Sequence, residues 1–251
     1  MLQNVMGHPD VKDRIAIVTG AAQGIGFAVA RAFVCAGAKV IAADIEEGMA
    51  AFENQGSGHI RYCRADVSCV ADVEAMVDFC LKEYGIPEVL INVAAISTPC
   101  PFKKMDLDVW QRVMDVNLTS VFLCSKAVVP HMVGNGRGSI INFSSVIAHT
   151  GGVTSSHYTA AKAGVEGLSR TLALELGPQG IRVNVIAPGM IDTRMLALMP
   201  DEQRRKVIDK APLRRIGRPE DLVGLCMLLS SDAGGYITGQ TIHVNGGLFL
   251  T

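Results

Sequence analysis

The chain has 251 residues, 49% of them hydrophobic and 19% charged, so it is long enough to bury a substantial core and lacks the composition of a disordered protein. Its 23 basic and 24 acidic residues give a formal charge of -1, which excludes a general electrostatic attraction to nucleic acid or anionic lipid. The seven cysteines include no pair within five residues, which excludes zinc-ligand spacing and a CxxC redox pair, and we expect a reducing, cytoplasmic location.

The N-terminal segment 1–14 has neither a basic start nor an apolar stretch. The mean hydropathy of +0.30 arises from short runs such as 89–96. We expect no continuous apolar span of about 18 residues, the length that crosses a bilayer as a helix. We therefore predict a soluble, unprocessed protein with no membrane and no nucleic acid among its partners.

Seven short apolar, β-branched runs alternate with longer segments of helical periodicity. Most runs are apolar on successive residues, which is typical of strands buried on both faces, and the helices between them supply the cover. This alternation predicts one α/β domain over residues 1–251, a doubly wound Rossmann domain with a seven-stranded, mainly parallel sheet and helices on both faces. The predicted strands cover residues 14–19, 38–44, 59–65, 88–94, 138–144, 181–187 and 240–244.

The first predicted strand runs into a glycine-rich turn with the spacing G-x-x-x-G-x-G, followed by an apolar helix over 27–36. The first glycine permits a sharp turn, the second leaves no Cβ facing a bound pyrophosphate, and the third lets helix and strand approach. The helix N-terminus presents free N–H groups to an anion, so the turn predicts a dinucleotide site, with a ligand-free tight turn as the alternative. The predicted cofactor-binding residues here are Gly20, Gln23, Gly24, Ile25 and Gly26.

Asp44 closes the second predicted strand, 18 residues beyond Gly26. A carboxylate at this position accepts hydrogen bonds from a ribose diol and repels a 2′-phosphate. No Lys or Arg follows Asp44 before Gly48, so nothing nearby in sequence balances the extra phosphate of NADP. The sequence favours NAD as the cofactor, with Asp44 and the adjoining Ile45 at its site, and a solvated strand-end acid is the alternative interpretation.

Tyr158 and Lys162 lie four residues apart at the start of a helix predicted over 157–176, so they share one helix face. Ser145 follows the strand 138–144, and a strand end and a helix start can bring two hydroxyls to one cleft. A tyrosine that exchanges protons near neutral pH needs its pKa lowered from about 10 by about three units, and an ammonium about 4 Å away supplies about 4 kcal/mol. We predict that Ser145 binds the substrate oxygen, Tyr158 transfers the proton and Lys162 lowers its pKa.

A long helix predicted over 107–132 carries Asn117 in mid-course, and we predict a catalytic role for it in a proton-conducting water chain. Residues 190–218 follow the Pro188–Gly189 pair and are predicted to form a mobile lid over the substrate. Largely apolar residues are expected to line the substrate pocket and to fit a small or medium secondary alcohol. These residues are Ile96, Ser97, Ile147, His149, Val153, Met190, Met195, Leu196 and Met199.

Two further features have open interpretations. His149 and His157 flank the predicted cleft, and each is interpreted as a hydrogen-bonded surface residue rather than a participant in the reaction. Residues 201–218 hold seven basic and three acidic side chains. We interpret them as a solvated face balanced by Glu220 and Asp221, and the alternative is a site for an anionic substrate or carrier.

Together these motifs resemble the short-chain dehydrogenase/reductase superfamily, in its compact subgroup of about 250 residues, over nearly the whole chain. The resemblance implies an NAD-dependent oxidoreductase that transfers hydride between nicotinamide and a carbonyl or secondary alcohol, and it implies a homotetramer. It places Asp66 and Val67 at the adenine, and Lys162 also at the nicotinamide ribose. Further residues that it assigns to the cofactor are Asn92, Ala94, Pro188, Gly189, Ile191 and Thr193. The motifs are TGAAQGIG (19–26), Asp66-Val67, Asn117, Ser145, YTAAK (158–162), Pro188-Gly189 and NGG (245–247).

One segment departs from the family pattern, which has Asn-Asn-Ala-Gly where this chain has Asn92-Val93-Ala94-Ala95. Val93 cannot hydrogen-bond and Ala95 adds a methyl group, so we expect weaker cofactor binding or a shifted pocket. Two other functions stay open: an enzyme similar to 3-oxoacyl carrier-protein reductases with an anionic substrate, and a non-catalytic module that senses NAD. No cluster of residues suggests a metal site.

Overall fold

The structure is a computed structural model that describes residues 10–46, 59–197, 199 and 201–250. Its strands form one sheet in the order β3-β2-β1-β4-β5-β6-β7, and every neighbouring pair is parallel. The predicted parallel, doubly wound sheet is confirmed. Each observed strand begins and ends within two residues of the predicted positions. The strands are β1 Ile15–Thr19, β2 Lys39–Asp44, β3 Ile60–Arg64, β4 Val89–Asn92, β5 Gly138–Phe143, β6 Ile181–Pro188 and β7 Thr241–Val244.

Helices cover both faces of the sheet and divide the core in two. Ala16 and Val18 of β1 are fully buried with the helices α1 and α9, while Ile17 between them is fully buried with α2, α4 and α6 on the other face. This explains why the strands read as continuous apolar runs. The helices are α1 Gly24–Cys35, α2 Val70–Glu83, α3 Leu107–Met114, α4 Ser120–Asn135, α5 Ile147–Thr150, α6 Ser156–Leu176, α7 Arg194–Ala197, α8 Asp201–Lys210 and α9 Glu220–Ser230.

The helices α3 and α4 are joined without a break by a π-helical turn over Asp115–Thr119. Within the described part of the chain, this helix of 29 residues is the one that is long and apolar enough to cross a membrane. The expectation of no such span was therefore wrong. In this fold, 44% of the most apolar 18-residue stretch of the helix is buried. Val128 and Met132 lie fully buried against the sheet. A core helix satisfies the same length and hydropathy test.

The segment 190–218 forms the short helices α7 and α8 beside the carboxyl ends of the strands. A parallel bridge between Ile191 and Gly217 closes its base, because Asp192 N donates to Gly217 O at 2.8 Å and Gly217 N donates to Met190 O at 2.9 Å. The position is that of the predicted lid, and its mobility stays a prediction. Leu198 and Pro200 of this segment, and residues 1–9 of the N-terminal segment, lie outside the described residues.

Candidate active site

A cleft of about 790 Å³ opens at the carboxyl ends of β1, β2, β4, β5 and β6. This is the edge where parallel α/β sheets bind ligands, and it includes the crevice between β1 and β4, where the strand order reverses. Residues distant in the sequence meet there, and nearly every predicted cofactor-binding residue is among them. Those that line the cleft are Gly20, Gln23, Gly24, Ile25, Gly26, Asp44, Ile45, Asp66, Val67, Ala94, Tyr158, Lys162, Pro188, Gly189, Ile191 and Thr193.

The glycine-rich turn forms the floor at one end of the cleft. Gly20 has a φ of +67°, which favours glycine, and a Cβ on Gly26 would lie 2.2 Å from the carbonyl oxygen of Gly20. Thr19 Oγ1 accepts hydrogen bonds from Val93 N at 3.1 Å and from Ala94 N at 3.3 Å. The turn at the start of α1 is therefore held against the loop after β4, and the helix N-terminus faces the cleft.

The same end of the cleft is acidic. Asp44 accepts hydrogen bonds from the backbone N–H groups of Ala22 at 2.9 Å and Glu46 at 3.1 Å. Asp66 accepts from the hydroxyl and the N–H of Ser68, and these bonds help to hold the pKa of its carboxyl below the usual value. Both carboxylates line the cleft with fixed orientations, and their contacts with a ribose and an adenine stay a prediction.

Two arginines that the sequence analysis missed also line this end. Arg194 Nη1 lies 2.8 Å from Glu46 Oε1, and Arg112 Nη2 lies 3.6 Å from Asp66 Oδ2. They come from α7 and α3, which are distant from Asp44 in the sequence, so the residues around Asp44 do not predict them. No cation follows Asp44 before Gly48 in the sequence, but these two guanidinium groups line the folded cleft, and each is paired with an acid. The acidic and basic residues that line this end are Asp44, Glu46, Asp66, Arg112 and Arg194, one more acid than base.

Asn92 and Asn117 were predicted at the site, and neither is among the residues that line the cleft. Asn92 is buried, and its Nδ2 donates to Asn142 Oδ1 at 2.8 Å. Asn117 lies in the π-helical turn and is fully buried; its Nδ2 donates to Ile96 O and its Oδ1 accepts from Ile96 N, both at 2.8 Å. Because Ile96 lines the cleft, Asn117 bears on the site through the backbone of that residue.

Ser145, Tyr158 and Lys162 meet in the wall of the cleft. The Ser145 side chain interacts with the Tyr158 hydroxyl and favours its ionised form. Lys162 is 2% exposed; its Nζ lies 5.7 Å from the centre of the Tyr158 ring and donates to Phe143 O at 2.7 Å. The end of β5 and the first turns of α6 thus bring together the two hydroxyls and the ammonium that the sequence predicts as a unit.

The acidity of this group differs from the prediction. Burial raises the pKa of Tyr158 to about 12, an effect that its interaction with Ser145 offsets only in part, and burial lowers the pKa of Lys162 to about 8. The prediction that Lys162 makes Tyr158 acidic is therefore wrong for the protein alone. The physical reason is that the ammonium bonds to the Phe143 carbonyl while the surrounding protein disfavours a phenolate.

The two histidines lie elsewhere than predicted. His149 is not among the cleft-lining residues, and its Nε2 donates to Glu166 Oε1 at 2.9 Å. His157 is fully buried rather than on the surface, and its Nδ1 accepts from Tyr158 N at 2.8 Å. The described residues contain no group of three or more His, Cys, Asp or Glu side chains placed to hold a metal ion.

The far end of the cleft is mainly apolar, with three methionines in its wall. Of the predicted pocket residues, all except His149 line it. Sequence reasoning missed Pro99, Thr154 and Ser155, which reach the cleft from loops and carry no motif. The remaining predicted residues that line this end are Ile96, Ser97, Ile147, Val153, Met190, Met195, Leu196 and Met199.

The basic residues of 201–218 have several acidic partners. Arg215 Nη1 lies 2.5 Å from Asp221 Oδ2, and this hydrogen bond helps to lower the pKa of Asp221 to about 2. Lys206 Nζ lies 2.7 Å from Glu202 Oε1. Asp221 thus balances the basic run as predicted, while Glu202 supplies a partner from within the run.

Comparison with known proteins places this geometry in a family. A family model described as Enoyl-(Acyl carrier protein) reductase matches residues 20–249. A solved structure described as short-chain dehydrogenase/reductase SDR:Glucose/ribitol dehydrogenase from Brucella melitensis is 31% identical, with a TM-score of 0.91 over 96% of this chain and 99% of that one. The chain belongs to the short-chain dehydrogenase/reductase family.

Curated members of this family are similar over almost their whole length. Cis-4-hydroxycyclohexanecarboxylate dehydrogenase of Sinomonas cyclohexanicum is 39% identical, covering 94% of this chain and 96% of its own. The 3-oxoacyl-[acyl-carrier-protein] reductase FabG of Escherichia coli K12 is 37% identical, covering 94% and 98%. The resemblance read from the motifs is confirmed, and the protein is a nicotinamide-dependent oxidoreductase of this family rather than a non-catalytic module.

Proposed function

We propose that the protein transfers hydride between NAD and a carbonyl or secondary alcohol of a small or medium, largely apolar substrate. The observation that carries this proposal is the meeting of Ser145, Tyr158 and Lys162 between the acidic, glycine-floored end of the cleft and its apolar end. A substrate held there has its oxygen beside two hydroxyls and its hydrocarbon part against the methionines.

The cleft fits a dinucleotide. The glycine turn leaves no side chain between the N-terminus of α1 and a pyrophosphate, and the Asp44 carboxylate faces the place of a ribose. Val67 would pack beside the adenine, and Lys162 and Thr193 would hold the nicotinamide end. When bound, the cofactor supplies the acceptor or donor of hydride.

The proton in the reaction belongs to Tyr158. In reduction, the phenol donates its proton to the substrate oxygen while Ser145 holds that oxygen by a hydrogen bond. A pKa of about 12 keeps the phenol protonated at neutral pH, which suits this direction. In oxidation, Tyr158 takes the hydroxyl proton, which requires a lower pKa. The positive charge that an oxidised nicotinamide would supply, together with the Lys162 ammonium, would lower it. Asn117 keeps the loop at Ile96 in place.

NAD is favoured over NADP by the charge of the cleft. The residues that line the adenosine end carry three carboxylates and two guanidinium groups, and both guanidinium groups already have an acidic partner. A 2′-phosphate placed beside Asp44 would meet a net negative surface. The cofactor is settled by comparing kcat/KM for NADH and NADPH, and equal values would contradict the proposal.

The substrate class is tested by a screen that follows NADH absorbance. Cis-4-hydroxycyclohexanecarboxylate, cyclohexanol and short aliphatic secondary alcohols are offered with NAD, and the matching ketones with NADH. We expect turnover of alicyclic and aliphatic compounds that fit the apolar end of the cleft. Turnover confined to polyols and sugars would contradict an apolar substrate.

A 3-oxoacyl thioester of acyl carrier protein is the second candidate, favoured by the basic residues of the segment 201–218, such as Arg205 and Lys210, and by the similarity to FabG. If those residues bind an acidic carrier, raising the salt concentration to 0.5 M, about three times the physiological value, screens the interaction. The KM for the carrier-bound thioester then rises. The KM for a free N-acetylcysteamine thioester then stays unchanged, and equal salt effects would exclude a carrier site.

We also propose a homotetramer in the cytoplasm. Phe122 and Val133 on α4 and Leu174 on α6 are exposed apolar side chains, which favours burial against other copies. All seven cysteines are free thiols, as a reducing compartment requires. Light scattering then gives four times the chain mass of 26.7 kDa, and a monomer mass would contradict the assembly. Cell fractionation tests the location.

A further inference from the structure

Three consecutive residues at the end of β5 are each held by a different residue of α6. Lys162 Nζ donates to Phe143 O at 2.7 Å, and the Ser145 side chain interacts with the Tyr158 hydroxyl. Between them, Ser144 Oγ donates to Glu166 Oε1 at 2.7 Å, with Lys162 O as a more distant acceptor at 3.1 Å. The three helix residues are spaced by four, so they form one row along the helix. Tyr158 and Lys162 belong to the proposed reaction, and Glu166 has no part in it.

Glu166 is a carboxylate in an unusual place. It is 4% exposed, and burial of an acid is costly unless it is hydrogen-bonded. Its Oε1 accepts from both Ser144 Oγ and His149 Nε2, while Arg170 Nη1 lies 4.0 Å from Oε2. One oxygen atom thus joins the end of β5 to the helix α5 that follows it.

Both partners of this oxygen adjoin cleft-lining residues. Ser144 itself lines the cleft and immediately precedes Ser145. His149 lies in α5 with Ile147, which lines the apolar end. The His149 ring also stacks on Phe249, with ring centres 5.0 Å apart, so α5 is supported from the C-terminal segment as well.

We propose that Glu166 is a positioning residue for the reaction. Its carboxylate fixes Ser144, and through the backbone it sets the distance between the Ser145 and Tyr158 oxygens that hold the substrate. This inference rests on the proposed roles of Ser145 and Tyr158. It predicts an effect on kcat rather than on cofactor binding, because misplacement of reacting groups by about 1 Å slows a reaction about 100-fold while binding contacts elsewhere persist.

The test compares Glu166→Ala, Glu166→Gln, Ser144→Ala and the double variant Glu166→Ala/Ser144→Ala. The matched control is Glu175→Ala, an exposed acid on the same helix. The assay uses the compound with the highest kcat/KM in the screen above, and the Kd for NADH is measured by fluorescence titration. These readouts separate a displaced reacting group from a damaged cofactor site.

We expect Glu166→Ala to lower kcat about tenfold or more with the NADH Kd within about twofold of wild type. Glu166→Gln restores most of kcat, because its amide oxygen still accepts from Ser144. The double variant loses no more than Glu166→Ala, because both changes remove the same contact. Glu175→Ala has wild-type kcat.

Unchanged kcat in Glu166→Ala, or losses that add in the double variant, would overturn the proposal. If Glu166→Ala does not fold, Ser144→Ala alone decides, since it removes the same hydrogen bond from a smaller side chain, and an unchanged kcat there is a refutation. Tyr158→Phe distinguishes a failure of the proposed function from a failure of the role of Glu166. Full activity of Tyr158→Phe refutes the proposed function. An inactive Tyr158→Phe together with a fully active Glu166→Ala refutes the role of Glu166 only.

Discussion

The two ends of the cleft are built in different ways. The cofactor end is formed by backbone and by charges at the ends of strands: the turn after β1, Asp44 at the end of β2, and Asp66 beyond β3. The substrate end is formed by side chains from α5, α7 and the loops around them, such as Ile147, Met190 and Leu196. The cofactor end depends on local backbone conformation, so it can be recognised in the sequence as a motif. The substrate end depends on the packing of distant side chains, so the sequence shows only its apolar composition.

Tyr158 lies where the two ends meet, and its loss is expected to have the largest effect. Tyr158→Phe removes the proton donor while keeping the ring, so kcat falls by a factor of about 100 to 10,000. The NADH Kd by fluorescence titration stays within about twofold. Tyr236→Phe, on a fully exposed tyrosine, is the matched control and keeps full activity. A Tyr158→Phe enzyme with more than about a tenth of wild-type kcat would remove the phenol from the mechanism.

Substitution of Lys162 tests how much the buried ammonium between the two ends of the cleft destabilises the fold. Its pKa of about 8 lies below the usual 10.5, so between these pH values the unfolded chain binds more protons and stability rises with pH. Below pH 8 the buried ammonium lowers the free energy of unfolding by an amount on the order of a few kcal/mol. Lys162→Met is therefore more stable than wild type at pH 7 in urea unfolding, and inactive. A difference that does not shrink between pH 8 and pH 10 would contradict this assignment.

Asp44 tests the cofactor end by itself. Asp44→Ala removes the charge that faces a 2′-phosphate, so the ratio of kcat/KM for NADH to that for NADPH falls about tenfold. Met190→Ala, at the apolar end, changes the KM for substrate and leaves that ratio unaltered. If Met190→Ala shifts the ratio as much as Asp44→Ala does, the two ends are not separable.

The loop after β4 gives the smallest expected effect. Val93→Asn with Ala95→Gly restores the usual family residues, removing a methyl group from the cleft and adding a hydrogen-bonding side chain. We expect the NADH Kd to fall about threefold, a gain of less than 1 kcal/mol. Fluorescence titration against the two single variants checks this, and an unchanged Kd would show that Thr19 Oγ1 already holds the loop in its binding position.

The sequence predicts the strands and the glycine turn because each is determined by neighbouring residues. It predicts Ser145, Tyr158 and Lys162 because their spacing relates a strand end to a helix face. Arg112 and Arg194 could not be found in this way, since each becomes part of the cleft only through the packing of its helix.

The errors have a similar origin. Asn117 is a separate case, because its role in a water chain stays a prediction, and the π-helical turn directs its amide to the Ile96 backbone. His149 was placed in the pocket by its position in the chain, but the buried carboxylate of Glu166 draws its ring away. The acidity of Tyr158 was predicted from one Coulomb interaction, and burial outweighs that interaction in the protein alone.

The π-helical turn over Asp115–Thr119 has a consequence for the whole helix that contains it. Such a turn accommodates one residue beyond the regular α-helical repeat, and each residue advances a helix by about 100°. The turn therefore takes up the extra residue locally and leaves α3 and α4 in the register of one continuous helix. Deleting a single residue there would return the segment to the regular repeat, so it would displace Asn117 from the Ile96 backbone while Val128 and Met132 stay in the core.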